Sequence, residues 1–273
     1  MDALTTRLEK MYAKQPRRGW LYTLISAFIV SLVIFSANGI HYNGIAQKGG
    51  EVAYSIFHGI IHPDMNILFS LSTDAVPYLI FQTISIAFLG TIFGAILAIP
   101  ISFLASEKIV GRKVAFVFNL LILLIRTIPS LVWALVWIRV TGPGPSCGVV
   151  TQSVCSIGMI SKMYITAIND IDHRVIESLD ALGCNVFEKI RFGVIPQLSA
   201  SFISTAIYRY DINLKDATTL GIVGAGGIGA SLIQCINSRR WAMVGSFLVG
   251  LMVLVMIIEY FSTRIRRKLT TGQ

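Results

Sequence analysis

DIDHRVIESLDALGCNVFEKIRFGVIPQ, residues Asp170 to Gln197, is the longest polar interruption in a chain otherwise made of apolar runs. It opens with a charged cluster (Asp170, Asp172, His173, Arg174) and continues with helical periodicity. Val175, Leu179, Leu182 and Val186 recur at spacings of four, three and four, while Glu177, Asp180, Glu188 and Lys189 fall elsewhere. Gly183 breaks the run, and Pro196 marks a second stop before the next apolar segment. A short helix–glycine–helix unit between two membrane spans cannot bury its apolar side in lipid without stranding its charges. The pattern predicts a protein partner.

Composition sets the surroundings of that stretch. The 273 residues are 54% hydrophobic and only 14% charged, with mean hydropathy +0.71. Soluble domains carry about 25% charged residues, so this chain lacks the surface to stay in water. Long apolar runs favour a helical bundle over a β-barrel, whose strands would alternate over about ten residues. The expected fold is all-α, a polytopic membrane bundle of about six transmembrane helices.

The spans are expected near Trp20–Ala37, Tyr78–Ala105, Val114–Val140, Ser146–Ala167, Leu198–Asn213 and Trp241–Thr263. The first follows a basic tail and lacks an A-x-A-like cleavage site, which argues for an uncleaved helix rather than a signal peptide. The fifth carries Tyr208, Arg209, Tyr210 and Asp211 and should face protein or water. Sixteen Lys/Arg fall in segments on one side and four on the other. The positive-inside rule then places both termini and the Asp170–Gln197 stretch in the cytoplasm. The net charge of +9 is largely this asymmetry and calls for membrane lipid, not nucleic acid.

The organisation that follows is a cytoplasmic tail (1–19), a first helix with an extracytoplasmic segment (20–77), a core (78–263) holding the cytoplasmic loop 168–197, and a second tail (264–273). In the outer segment, Val52, Ile56, Phe57, Ile60 and Ile61 have helical spacing suited to the membrane surface or the bundle. His58 and His62 share a helix face, but with His41 they make no convergent third ligand, so no metal is expected. Cys147, Cys155, Cys184 and Cys235 lack metal spacing. Only Cys147 and Cys235 could meet an oxidising compartment, and their pairing stays open.

Gly224-Ala-Gly226-Gly227-Ile-Gly229 matches G-x-G-x-x-G, which in a βαβ unit would bind a dinucleotide. Here the next acidic residue is Glu259, thirty positions on, and the flanks are membrane segments. Gly221, Gly224, Gly226, Gly227 and Gly229 are better read as close packing or a re-entrant turn. No cofactor is expected. Pro129, after Arg126-Thr-Ile, should break the third helix and expose carbonyls that neighbours must satisfy.

Several of these motifs carry a family resemblance. Glu177-Ser-Leu-Asp180-Ala181-Leu-Gly183, followed by Ile195-Pro196, resembles the "EAA" loop of ABC-importer permeases, E-A-A-x-x-x-G and later I-x-L-P. Glu177 and Gly183 fit, Ser178 and Leu179 replace the alanines, and Ile195-Pro196 comes a few residues late. TAIYRYDINLKDATTLGIVGAGGIG (205–229) and the R-T-I-P-x-L-V-W-A run at Arg126–Ala134 resemble phosphonate permeases, and the likeness covers about 110 to 273. Lys215 stands where many relatives have arginine, keeping the charge but not bidentate recognition. The resemblance implies a type I importer permease in the bacterial inner membrane. It implies a cytoplasmic ABC ATPase dimer, a second permease copy or close paralogue, and a periplasmic substrate-binding protein. Glu177, Asp180, Ala181, Gly183 and Pro196 would then form the ATPase-coupling element. There is no Walker-type G-x-x-x-x-G-K-[ST], so the chain is not itself expected to hydrolyse ATP.

Charges inside spans give a separate physical argument. An arginine at the bilayer centre costs at least about 2.5–3.5 kcal/mol on insertion scales, so Arg126, in the middle of the third span, should face the bundle interior or a watery path. Arg209, Asp211 and Lys215 extend the set, with Asp211 and Lys215 able to pair at i, i+4. Cations along a route suit a phosphonate, phosphite or phosphate anion. Equally, these arginines could neutralise Asp211 or bind helix ends. The alternative is an importer permease for another small solute, and an anion channel and a lipid-directed membrane enzyme are the readings from other classes.

Overall fold

The computed structural model describes residues 19–39 and 49–271, and every regular element among them is helical. The basic tail before Gly19 and His41 lie outside the described residues. In chain order the helices are α1 (Gly19–Gly39), α2 (Gly49–Ile61), α3 (Met65–Phe69), α4 (Val76–Leu104), α5 (Glu107–Val110), α6 (Arg112–Thr127) and α7 (Ser130–Thr141). There follow α8 (Pro145–Asn169), α9 (His173–Ala181), α10 (Val186–Lys189), α11 (Ile195–Leu220), α12 (Gly227–Asn237) and α13 (Trp241–Thr271). The chain divides after Glu51 into two units. The first contains α1, 21 residues that are apolar all round and long enough to span a bilayer.

The second unit is a bundle built on α4, α8, α11 and α13. Gly90 and Gly94, spaced as G-x-x-x-G on α4, let that helix approach α8 closely. A Cβ at these positions would meet Gln152 Cβ at 2.6 Å and Ser156 Cβ at 2.4 Å. The interior face of α8 is correspondingly polar: Thr151, Gln152, Ser153, Ser156 and Ser161 are all buried. Apolar packing lies to either side, with Val76, Leu79, Ile228, Val244 and Phe247 in one cluster and Ala98, Ile160 and Tyr164 in another. Tyr164 stacks on Phe202, ring centroids 3.7 Å apart, which joins α8 to α11.

Four helices are long and apolar enough to cross a membrane, and five spans result if the bent pair α6–α7 is one. Six were expected. The difference is α8, whose 25 residues suffice in length but whose buried serines, threonines and glutamine lower its hydropathy. The third expected span is not one rod. Ile128 is extended (φ −89°, ψ 123°) because it precedes Pro129, and α6 and α7 meet at 91°. The freed Ile125 carbonyl accepts from Trp133 Nε1 at 3.2 Å, and Thr127 Oγ1 donates to the Leu123 carbonyl at 2.6 Å. The fifth span is longer than expected: α11 runs through Lys215 and Asp216 to Leu220, because Leu214, Ala217 and Leu220 are buried against the bundle and packing carries the helix past its charges. The last helix likewise continues to Thr271.

The α2 segment packs on the start of α13 within the second unit. A Cβ at Gly245 would meet the Gly59 carbonyl at 1.9 Å, and Ser246 Oγ donates to the Asp64 carbonyl at 3.0 Å.

Candidate functional site: a coupling segment and a buried polar cluster

The stretch between α8 and α11 folds as two short helices around a glycine turn. Asp172 caps α9, its carboxylate accepting from the Arg174 N–H at 3.0 Å. Gly183 has φ +76°, the left-handed conformation that ends helices, and its N–H donates to the Asp180 carbonyl at 2.9 Å. Asn185 then begins α10 with a reciprocal cap: its Oδ1 accepts from the Glu188 N–H at 2.9 Å, and Glu188 Oε2 accepts from the Asn185 N–H at 2.8 Å. A π-helical turn, Ile190–Val194, leads into α11, with Pro196 in its first turn where the missing N–H costs nothing.

This element has an inner and an outer side. Leu179 and Ile176 face Gly193 of the π turn, where a Cβ would lie 3.0 Å from Leu179 Cδ1. Glu177, Asp180, Ala181, Leu182 and Gly183 are exposed, Leu182 by 78%. The periodicity placed Val175, Leu179 and Leu182 on one row. The structure separates Leu182 from it, because α9 ends at Ala181 and the glycine turn redirects the chain. Asp180 is ion-paired with Lys189 across the turn. Gln197 was not foreseen: its Oε1 accepts from the Asp172 N–H at 2.9 Å and its Nε2 donates to the Gly193 carbonyl at 2.8 Å. One side chain thus ties the start of α9 to α11.

Deep in the bundle, Arg209 and Asn213 of α11 meet Ser156 of α8 and Thr91 of α4. Asn213 is fully buried, and its Nδ2 donates to Thr91 Oγ1 and to Ser156 Oγ, both at 2.8 Å. Gln152 Nε2 donates to the Asn213 carbonyl at 2.7 Å. Arg209, 6% exposed, donates through Nε to Ser156 Oγ at 3.1 Å and through Nη1 toward Met159 Sδ at 3.1 Å. Among the described residues no carboxylate comes within 4.0 Å of its guanidinium. The side-chain oxygens of Gln152 and Asn213 beside it have no hydrogen-bond partner.

The other intramembrane charges are not gathered with Arg209. Lys215 reaches Asp211 at 3.4 Å, as their spacing allows, and also Glu259 of α13 at 3.2 Å. Arg126 is exposed in the last turn of α6, with its stem against Gly158; it sits at the proline break, not in the middle of a continuous span. Arg209 therefore does not neutralise Asp211, which is taken by Lys215.

The glycine run forms the turn between α11 and α12. A Cβ at Gly229 would lie 2.1 Å from the Thr218 carbonyl, and one at Gly221 2.4 Å from the Ala230 nitrogen. Gly224, Gly226 and Gly227 have positive φ. The first N–H groups of α12 point at protein: Gly227 donates to Gln82 Oε1 and Ile228 to Thr83 Oγ1, each at 2.9 Å. Helix capping occupies the position a phosphate would need. Among the described residues no three His, Cys, Asp or Glu side chains converge as a metal site. Their four cysteines are free, with Cys147 and Cys235 in separate apolar clusters.

Residues 90–270, which hold the bundle core, the α9–α10 stretch and the glycine turn, match the family described as binding-protein-dependent transport system inner membrane component. The chain belongs to that family. This permease is 30% identical over 189 residues to the phosphate-import permease protein PhnE of Mycolicibacterium smegmatis, covering 69% of this chain and 36% of that protein. It is 27% identical over 187 residues to the phosphite transport system permease protein PtxC of Stutzerimonas stutzeri, covering 68% of each. Its fold resembles a chain of the inward-facing MetNI methionine ABC transporter (TM-score 0.61, 22% identity, 70% of this chain and 94% of that one). It also resembles a chain of a bacterial ABC transporter that imports alginate (TM-score 0.62, 14% identity, 96% and 99%). These likenesses place the bundle among ABC-importer permease folds, and the permease is a transport component, not an enzyme.

Proposed function

We propose that this permease carries phosphonate or a related phosphorus oxyanion, phosphite or phosphate, inward across the bacterial inner membrane, driven by a separate cytoplasmic ABC ATPase. The observation that carries the substrate class is Arg209: a guanidinium buried in the bundle, hydrogen-bonded to a serine and a thioether and lacking a carboxylate at ion-pair distance. Buried cations are normally paired, and a passing oxyanion is a natural transient partner. The names of the phosphate and phosphite permeases that it resembles point the same way.

The exposed Glu177–Gly183 surface is the ATPase-docking element in this reading, and both termini are cytoplasmic. A second permease copy or close paralogue completes the translocation path, and a periplasmic binding protein delivers the anion. Closure of the ATPase pair would draw two α9–α10 elements together, and the Gln197 bridge would pass that displacement to α11 and its Arg209. The result is rigid-body rocking between inward and outward cavities, not a permanent pore. Arg126, Asp211 and Lys215 belong to the wider path, with Pro129, Gly221, Gly224, Gly226, Gly227 and Gly229 holding its bends.

The test is uptake of a radiolabelled phosphonate in cells expressing the permease with its ATPase and binding protein, in competition with unlabelled phosphite, phosphate and methionine. Competition by the phosphorus oxyanions alone supports the substrate class, and competition by methionine alone refutes it. Arg126→Ala distinguishes roles for that exposed arginine: lowered uptake with an intact complex assigns it to the route, and failed assembly assigns it to structure.

A further inference from the structure

Two cavities meet at Lys108, on α5 between the ends of α4 and α8. One, of about 680 Å³, is walled almost entirely by apolar side chains, among them Ile99, Phe103, Ile168, Ile176, Leu198 and Phe202. The other, of about 440 Å³, is polar and is lined by Lys108, Lys162, Asn119, Asn169 and Glu107 beside Ala105 and Phe116. Neither lysine has a carboxylate within 4.0 Å among the described residues. Lys108 Nζ donates to the Asn169 carbonyl at 2.6 Å, which fixes the ammonium between the two cavities while leaving it further N–H groups. The walls are the ends of α4, α8 and α11, where a membrane bundle meets its polar connecting segments.

We infer that these joined cavities hold one anionic glycerophospholipid, an acyl chain in the apolar cavity and its phosphate at Lys108 and Lys162. Charge and polarity select that occupant. A soluble anion would leave the larger cavity unfilled, and a wholly apolar guest would leave two ammonium groups unmatched. Glu107 on the rim opposes an anion and moderates the attraction. Because Ile176 of the coupling segment and Leu198 of α11 share the apolar wall, the lipid would pack beneath the segment that is proposed to dock the ATPase. The inference rests on the membrane placement of these helices and is independent of the transported substrate.

The full chain, with benzoylphenylalanine replacing Ile109 in the apolar wall, is reconstituted into vesicles of equimolar phosphatidylglycerol and phosphatidylcholine, irradiated and weighed intact. Phosphatidylglycerol adducts should exceed phosphatidylcholine adducts roughly ten-fold, as expected for two basic groups beside a headgroup whose phosphate is not offset by a choline cation. Combining Lys108→Gln with Lys162→Gln should bring the two to parity. The probe at Phe93, an exposed position on α4, should show no preference. A second probe at Ser199 guards against local misfolding at Ile109 and should repeat the first result. Equal labelling by both lipids in the unmutated background overturns the inference. So does a preference that survives loss of both lysines, or a crosslink to a second copy or another segment of this chain.

Discussion

Arg209 shows how far a single side chain can be read from sequence. Its presence in an apolar run marked it, but its surroundings come from residues 50 or more positions away: Ser156, Met159 and, through Asn213, Thr91. Spacing could propose the Asp211–Lys215 pair because helical neighbours are local. It could not propose Glu259 as a second partner for Lys215, since that depends on how α13 packs on α11. Arg209→Ala should lower uptake roughly ten- to hundred-fold with the complex intact, the effect of losing a charge-assisted contact. Wild-type uptake by that variant would remove Arg209 from the anion path. Asn185→Ala tests the local cap at the same scale: it should cost about 1 kcal/mol of α10 stability, read as faster amide exchange at Glu188 and Lys189.

At the scale of elements, the proline break and the glycine turn were legible because their chemistry is local. Pro129 forces Ile128 out of the helix wherever the chain goes, and the glycines permit a close turn. The partners that complete them were not legible: Trp133 for the Ile125 carbonyl, and Gln82 and Thr83 for the first N–H groups of α12. The α8 span also misled in part, because a helix buried on a polar face reads as weakly hydrophobic. Gly229→Ala places a methyl group against the Thr218 carbonyl and should destabilise the bundle by about 1–3 kcal/mol, seen as a lower thermal midpoint in detergent. Gly183→Ala meets open space, so its cost should be the left-handed backbone alone, about 1 kcal/mol. An unchanged thermal midpoint in Gly229→Ala would contradict the packing account of the glycine turn.

The second unit is a bundle, and the segment proposed to drive it lies between α8 and α11. The Asp170–Gln197 stretch pointed to a protein partner through charge and glycine between spans, and its likeness at Glu177–Gly183 to the EAA loop supplied the class. Its geometry adds a mechanical detail, the Gln197 link from the Asp172 N–H to the start of α11. On the central claim, that ATP hydrolysis elsewhere drives transport through this segment, the most direct measurement is ATP-dependent uptake of labelled phosphonate by proteoliposomes holding the assembled importer. Wild type is compared with Gly183→Asp, a change at an exposed turn with open space around it. The account predicts that the variant assembles and its isolated chain folds normally, while ATP-dependent uptake is lost. Uptake at the wild-type rate by Gly183→Asp, or uptake by the wild type without ATP, would contradict it.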